Sequence, residues 1–137
     1  MASTYRQLRL PRWLAIIYVT AAVILLPWTV YLGYQLPVKH LSQHWDISWV
    51  GLDAALILTL ALTGIFAYRK SKLIVISATS TGCLLLLDAW FDVLSATRDY
   101  HFYQALFLAF GVELPLAIMS YRLAYRALER HIAKGRS

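Results

Sequence analysis

Between Arg12 and Lys39 the chain carries no charged residue. Once helical, a stretch of that length reaches across the hydrocarbon core of a bilayer, which takes about 20 apolar residues at roughly 1.5 Å of rise each. Span one is placed at about 13–34, and three stretches of similar length and character follow at about 49–68, 73–96 and 102–121. Hydrocarbon offers no water to an open backbone, so such segments have to be helical. The expected fold is an all-α membrane protein with four transmembrane helices in an antiparallel bundle.

Composition agrees. Of the 137 residues, 60% are hydrophobic, against roughly half in a soluble domain. Four spans consume about 80 positions and leave only short connections, so residues 1–137 read as a single polytopic membrane domain. The first stretch is too long for the core of a signal peptide, and no small-residue cleavage pattern follows it. Pro27 is expected to kink span one, and Pro115 with Gly111 to kink span four. Ser48 and Asp46 are candidate caps for span two, and Asp99 for span four. The short turns at Arg69–Lys72 and Thr97–His101 predict antiparallel hairpins.

The thirteen basic residues are strongly segregated. Arg6, Arg9 and Arg12 precede span one. Arg69, Lys70 and Lys72 separate spans two and three. Arg122, Arg126, Arg130, Lys134 and Arg136 follow span four. Only Lys39 and Arg98 fall in the other two loops. The positive-inside rule then puts both termini in the cytoplasm, in a multi-pass protein of the plasma (inner) membrane. Trp13, Trp45, Trp49, Tyr68, Tyr100 and Tyr121 fall where an interfacial aromatic belt is expected. Arg122, Arg126, Arg130 and Lys134 recur every four residues, so a helical tail over 122–137 presents them as one stripe suited to anionic lipid headgroups. The net charge of +6 is accounted for in this way, and without a nucleic-acid-binding motif no nucleic-acid partner is expected.

Against that apolar background stand Asp53, Asp88, Asp92 and Glu113. A carboxylate at the centre of a span costs about 2.5–3.5 kcal/mol on insertion scales, and such residues face the bundle interior or a wet cavity. Counting helical rise from the basic ends of their spans places Asp53 and Asp88 roughly 22 Å up, Asp92 about 6 Å beyond, and Glu113 only roughly 12 Å up. The expectation is an outward-facing acidic cluster with one carboxyl nearer the membrane middle. Ser77, Thr81, Asp88, Asp92 and Ser95 share one face of span three, and Ala109, Ala117 and Ser120 share the face of Glu113. Asp53 lies near the positive end of its helix, where a structural role is sufficient. Asp88 and Asp92 are like charges one turn apart near the unfavourable end of theirs, a situation resolved by a shared proton or an intervening cation.

Histidines widen the ligand set. His40, His44 and His101 fall in the loops on the acidic side, and imidazole with carboxylate suits a divalent transition metal, although no zinc signature is present. Cys83 stands alone, which excludes an intramolecular disulfide and a paired-thiol relay; it reads as a small packing residue.

The run Asp88-Ala-Trp-Phe-Asp-Val93, with Glu113-Leu-Pro115 and Trp49-Val-Gly-Leu-Asp53, resembles a pattern in small four-span membrane proteins of actinobacteria and similar bacteria. The resemblance covers nearly the whole chain and implies the topology and the choice of acids, but no activity. Small multidrug exporters share the length and the four spans, yet their membrane-embedded glutamate lies in the first span, and span one here has no acid. Three functions follow from these residues. The favoured one is binding or passing a cation (proton, metal or organic cation) at Asp53, Asp88, Asp92 and Glu113, with a homo-oligomer enclosing the path. The alternatives are an accessory or assembly subunit whose acids pair with a partner's basic residues, and a small intramembrane enzyme acting on a lipid or isoprenoid. Without a nucleophile–base pair the enzyme reading is the weakest of the three.

Overall fold

A computed structural model describes residues 12–35, 44–96 and 100–135, and every element among them is helical. Helix α1 spans Arg12–Gln35, α2 Trp45–Arg69 and α3 Ile74–Ser95. The fourth rod consists of α4 (Tyr100–Leu108), a π-helical turn (Ala109–Glu113) and α5 (Leu114–Gly135). Four helices are therefore long and apolar enough to cross a membrane. Helix α1 packs on α2, α2 on α3, and α3 on α4, the π turn and α5. His40, Arg98 and Asp99 lie outside the described residues.

Pro27 sits inside α1 without ending it. The expected kink of the fourth rod takes a specific form. Pro115 has no N–H to give to the carbonyl of Gly111, and its ring crowds that carbonyl. The backbone responds by inserting one residue: the Leu114 N–H bonds the Ala109 carbonyl, five residues back, and the π turn results. Helix α5 then runs unbroken through the basic tail.

Two expectations at the start of α2 are corrected. The helix begins at Trp45, so Ser48 lies inside it and donates its hydroxyl to the His44 carbonyl (3.1 Å) rather than capping a free N–H. Asp46 also lies within the first turn, and its Oδ1 is buried without a hydrogen bond. The residue preceding the helix is His44, in the left-handed region at φ 60°.

Close packing rests on small residues, because lipid chains compete equally well for large apolar ones. At Gly64, an added Cβ would meet Val19 Cγ2 at 2.7 Å and the Ala15 carbonyl at 3.1 Å, so α1 crosses α2 at near-minimal distance there. At Gly82, the same atom would meet the Tyr121 ring at 3.0 Å, and α5 contributes the buried stripe Ala117, Ser120, Ala124 and Ala127. Polar clasps join the helices. The hydroxyls of Thr63 (α2) and Thr81 (α3) are hydrogen-bonded at 3.0 Å, both fully buried. Tyr18 of α1 reaches Ser120 of α5 at 2.8 Å, and Ser120 in turn donates to the Leu116 carbonyl, so the Tyr18 hydroxyl is the donor in the first bond. No close backbone contact joins α1 to α5 among the described residues, so it takes a side chain as long as tyrosine to bridge that seam.

Trp49 departs from the expected belt: it is buried and meets Phe91 edge-on, ring centroids 6.2 Å apart. Trp13, Tyr68 and Tyr100 are exposed as expected. Cys83 is also exposed, with Sγ 3.2 Å from the Tyr121 hydroxyl. Thr81 and Gly82 take the helix interface, and a further 100° turn carries Cys83 outward.

Substituting Gly64→Ala is expected to destabilise the bundle by about 1–3 kcal/mol, since a short valine and a backbone carbonyl would have to give way. Gly51, whose Cβ would meet nothing within 4 Å, is expected to accept alanine without loss. Thermal unfolding of the two detergent-solubilised variants, followed by circular dichroism, checks the contrast.

Candidate functional site

Each of the four acids is held by a different local arrangement. Asp53 is two turns into α2 and buried. Its Oδ2 lies 3.0 Å from the hydroxyl of Thr29 on α1, and that hydroxyl also lies 3.0 Å from the Leu25 carbonyl. A single hydroxyl proton thus faces two acceptors. Asp88 and Asp92 sit one turn apart near the end of α3; Asp88 is buried and Asp92 half-buried. The inward face of α3 carries Ser77, Thr81 and Asp88 as expected, with Asp92 and Ser95 at its half-buried edge.

Glu113 is the last residue of the π turn and only 8% exposed. Within the π turn Ala109 and Glu113 are both buried, while Phe110, Gly111 and Val112 face outward. Glu113 Oε2 is buried with no hydrogen-bond partner. The π turn packs on α3, which carries Asp88 and Asp92, and α3 packs on α2, which carries Asp53. Among the described residues, no lysine or arginine forms an ion pair with any of these acids, and Asp53 alone has a side-chain donor.

No three His, Cys, Asp or Glu side chains among the described residues come together as a metal site. His44 is exposed beside the start of α2. His101 lies in the first turn of α4 rather than in a loop, exposed, with its ring against Tyr100 at 6.1 Å. His40 lies outside the described residues.

At the far end of the chain, Arg122 and Arg126 are exposed on α5, while Leu123, Ala124 and Ala127 form its buried side. Arg130 is half-buried, with Nε and Nη2 lacking a hydrogen-bond partner. Lys134 continues the helix, its side chain outside the described set.

Sequence reading missed Thr29, the partner of Asp53, and Tyr18. Both are polar residues in an apolar span with no neighbouring charge to draw attention, and only the crossing of α1 over α2 and the seam with α5 give them partners. Comparison of the chain with family models, with curated proteins and with solved structures finds no match.

Replacing Glu113 by glutamine keeps the side chain's shape, removes its ionisable group and supplies two donors. Glu113→Gln is expected to raise stability by about 1 kcal/mol, read as a higher unfolding temperature in detergent. A lower temperature would show that Oε2 has a donor in the native protein.

Proposed function

We propose that this is a multi-pass protein of the plasma membrane that binds and passes a small cation, a proton or an organic ammonium ion, through its intramembrane carboxyl cluster. The observation that carries this reading is Glu113 Oε2, buried without a donor on a turn packed against the helix that carries Asp88 and Asp92. An isolated charge in such surroundings is strongly unfavourable, and an arriving proton or cation relieves it. The absence of a three-ligand grouping among the described residues favours an ion held by field and by one or two carboxyls over a chelated divalent metal. In this reading Asp53, Asp88 and Asp92 collect the ion, and Glu113 receives it nearer the membrane middle.

Helices alternating in direction, with both termini cytoplasmic, belong to this reading; the segregation of basic residues supports the orientation, and the contacts of residue 29 with 53 and of 19 with 64 support opposite directions for α1 and α2. The basic stripe at Arg122, Arg126, Arg130 and Lys134 then faces anionic headgroups. Four helices packed this closely enclose little space, so passage calls for a homo-oligomer. The likeness to small four-span actinobacterial proteins rests on Asp88–Val93 and Glu113–Pro115 and belongs to the same proposal.

The accessory-subunit reading answers the same observation differently, with a partner's lysine or arginine meeting the carboxyls. Two measurements separate them. Purified protein in liposomes, driven by an imposed potential and followed with an internal pH dye, is expected to move protons or ammonium probes at a rate that falls at least tenfold in Glu113→Gln and in Asp88→Asn/Asp92→Asn. A wild-type rate equal to that of empty liposomes removes the proposal. Native mass spectrometry from the source membrane that shows a second polypeptide, lost in the same variants, assigns the acids to assembly instead.

A further inference from the structure

The chain also carries a cleft that the acidic cluster does not use. It has a volume of about 330 Å³ and is lined, among the described residues, by Arg12, Ala67, Tyr68 and Lys70. It lies where the first residue of α1 meets the last turn of α2. Two cations from two different helices border it, and neither forms an ion pair among the described residues.

The end of α2 opposes this charge only in part, because two of its last carbonyls are occupied. The Ser71 N–H bonds the Phe66 carbonyl at 3.0 Å, and the Lys70 N–H bonds the Ala67 carbonyl at 3.4 Å. Lys70 closes this turn at φ 53°, in the left-handed region. Glycine takes that position at the least cost, so the lysine side chain occupies the cleft rim at some expense in backbone energy. Exposed Tyr68 lines the cleft, near the end of its span, where aromatic side chains meet headgroups. The volume is within the usual range of ligand sites, about 300–1,000 Å³.

We infer that this cleft is a discrete site for a phosphate-bearing anion, held by Arg12 and Lys70 with the Tyr68 hydroxyl as a further donor. The phosphate comes either from the headgroup of an anionic phospholipid or from free phosphate in the aqueous phase. The site is independent of the carboxyl cluster and of the cation reading.

The test uses the full-length protein in detergent, examined by native mass spectrometry with added phosphatidylglycerol, phosphatidylcholine or inorganic phosphate. The binding variant is Arg12→Gln/Lys70→Gly; glycine suits the left-handed turn, so lost binding does not reflect a lost fold. The control variant, Arg69→Gln/Lys72→Gln, removes the same charge from the same turn but from residues that do not line the cleft. One phosphatidylglycerol retained per chain, reduced roughly 30-fold in the binding variant and little in the control, supports the site with a lipid as its source. A single inorganic phosphate adduct lost in the same variant supports it with free phosphate as the source. Equal losses in the two variants, undiminished retention in the binding variant, or equal retention of phosphatidylcholine overturns it.

Discussion

In a bundle surrounded by hydrocarbon, every hydrogen-bonding group has to be satisfied from within, and the rest of this structure follows from that requirement. The backbone meets it by being helical throughout the described residues. The side chains meet it by turning inward and joining helices. Thr63 and Thr81 clasp α2 to α3, Thr29 and Asp53 clasp α1 to α2, and Tyr18 with Ser120 ties α1 to α5. Each such bond is worth only about 0.6 kcal/mol on average in a membrane bundle, so their combined effect is to select one register of helix against helix. Gly64 and Gly82 then allow the backbones close enough for the hydroxyls to reach each other.

The π turn is where this economy is broken. Pro115 cannot complete the α ladder, and the Leu114 N–H reaches back five residues to the Ala109 carbonyl instead. With the turn in place, Ala109, Glu113, Leu116, Ala117 and Ser120 are all buried. Most polar side chains of the bundle are satisfied, and Glu113 Oε2 is not. Violations of local rules concentrate at functional positions, and here an irregular backbone, a buried acid and a missing donor coincide at one residue.

Charge is divided along the bundle in a way that separates its two ends chemically. The acids lie on α2, α3 and the π turn, while Arg12 and Lys70 border the junction of α1 with α2. The α2–α3 turn is basic as well: Arg69 ends α2, Lys70 caps it, and Lys72 precedes α3. Opposite charges that might have neutralised each other are held apart by rigid apolar helices. Each group is therefore left to interact with what the membrane and its aqueous boundaries supply.

Much of this was legible in the residues alone. Four uninterrupted apolar stretches require four helices, because no other backbone form can be satisfied in lipid. The polar positions along α3, from Ser77 to Asp88, declared an inward face through their helical spacing. The basic runs marked one set of connections apart from the other. What the sequence could not decide depends on how helices cross and where one loses register. Thr29 has a partner only because α1 crosses α2 at Gly64. Trp49 turns inward only because Phe91 stands opposite. Ser48 lost its capping role when α2 began earlier, at Trp45. Proline signals a broken ladder, but whether the chain kinks or inserts a residue is set by the packing on either side. Periodicity is a property of one helix and can be read from its sequence; the meeting of two helices depends on both surfaces together, and only the tertiary structure resolves it.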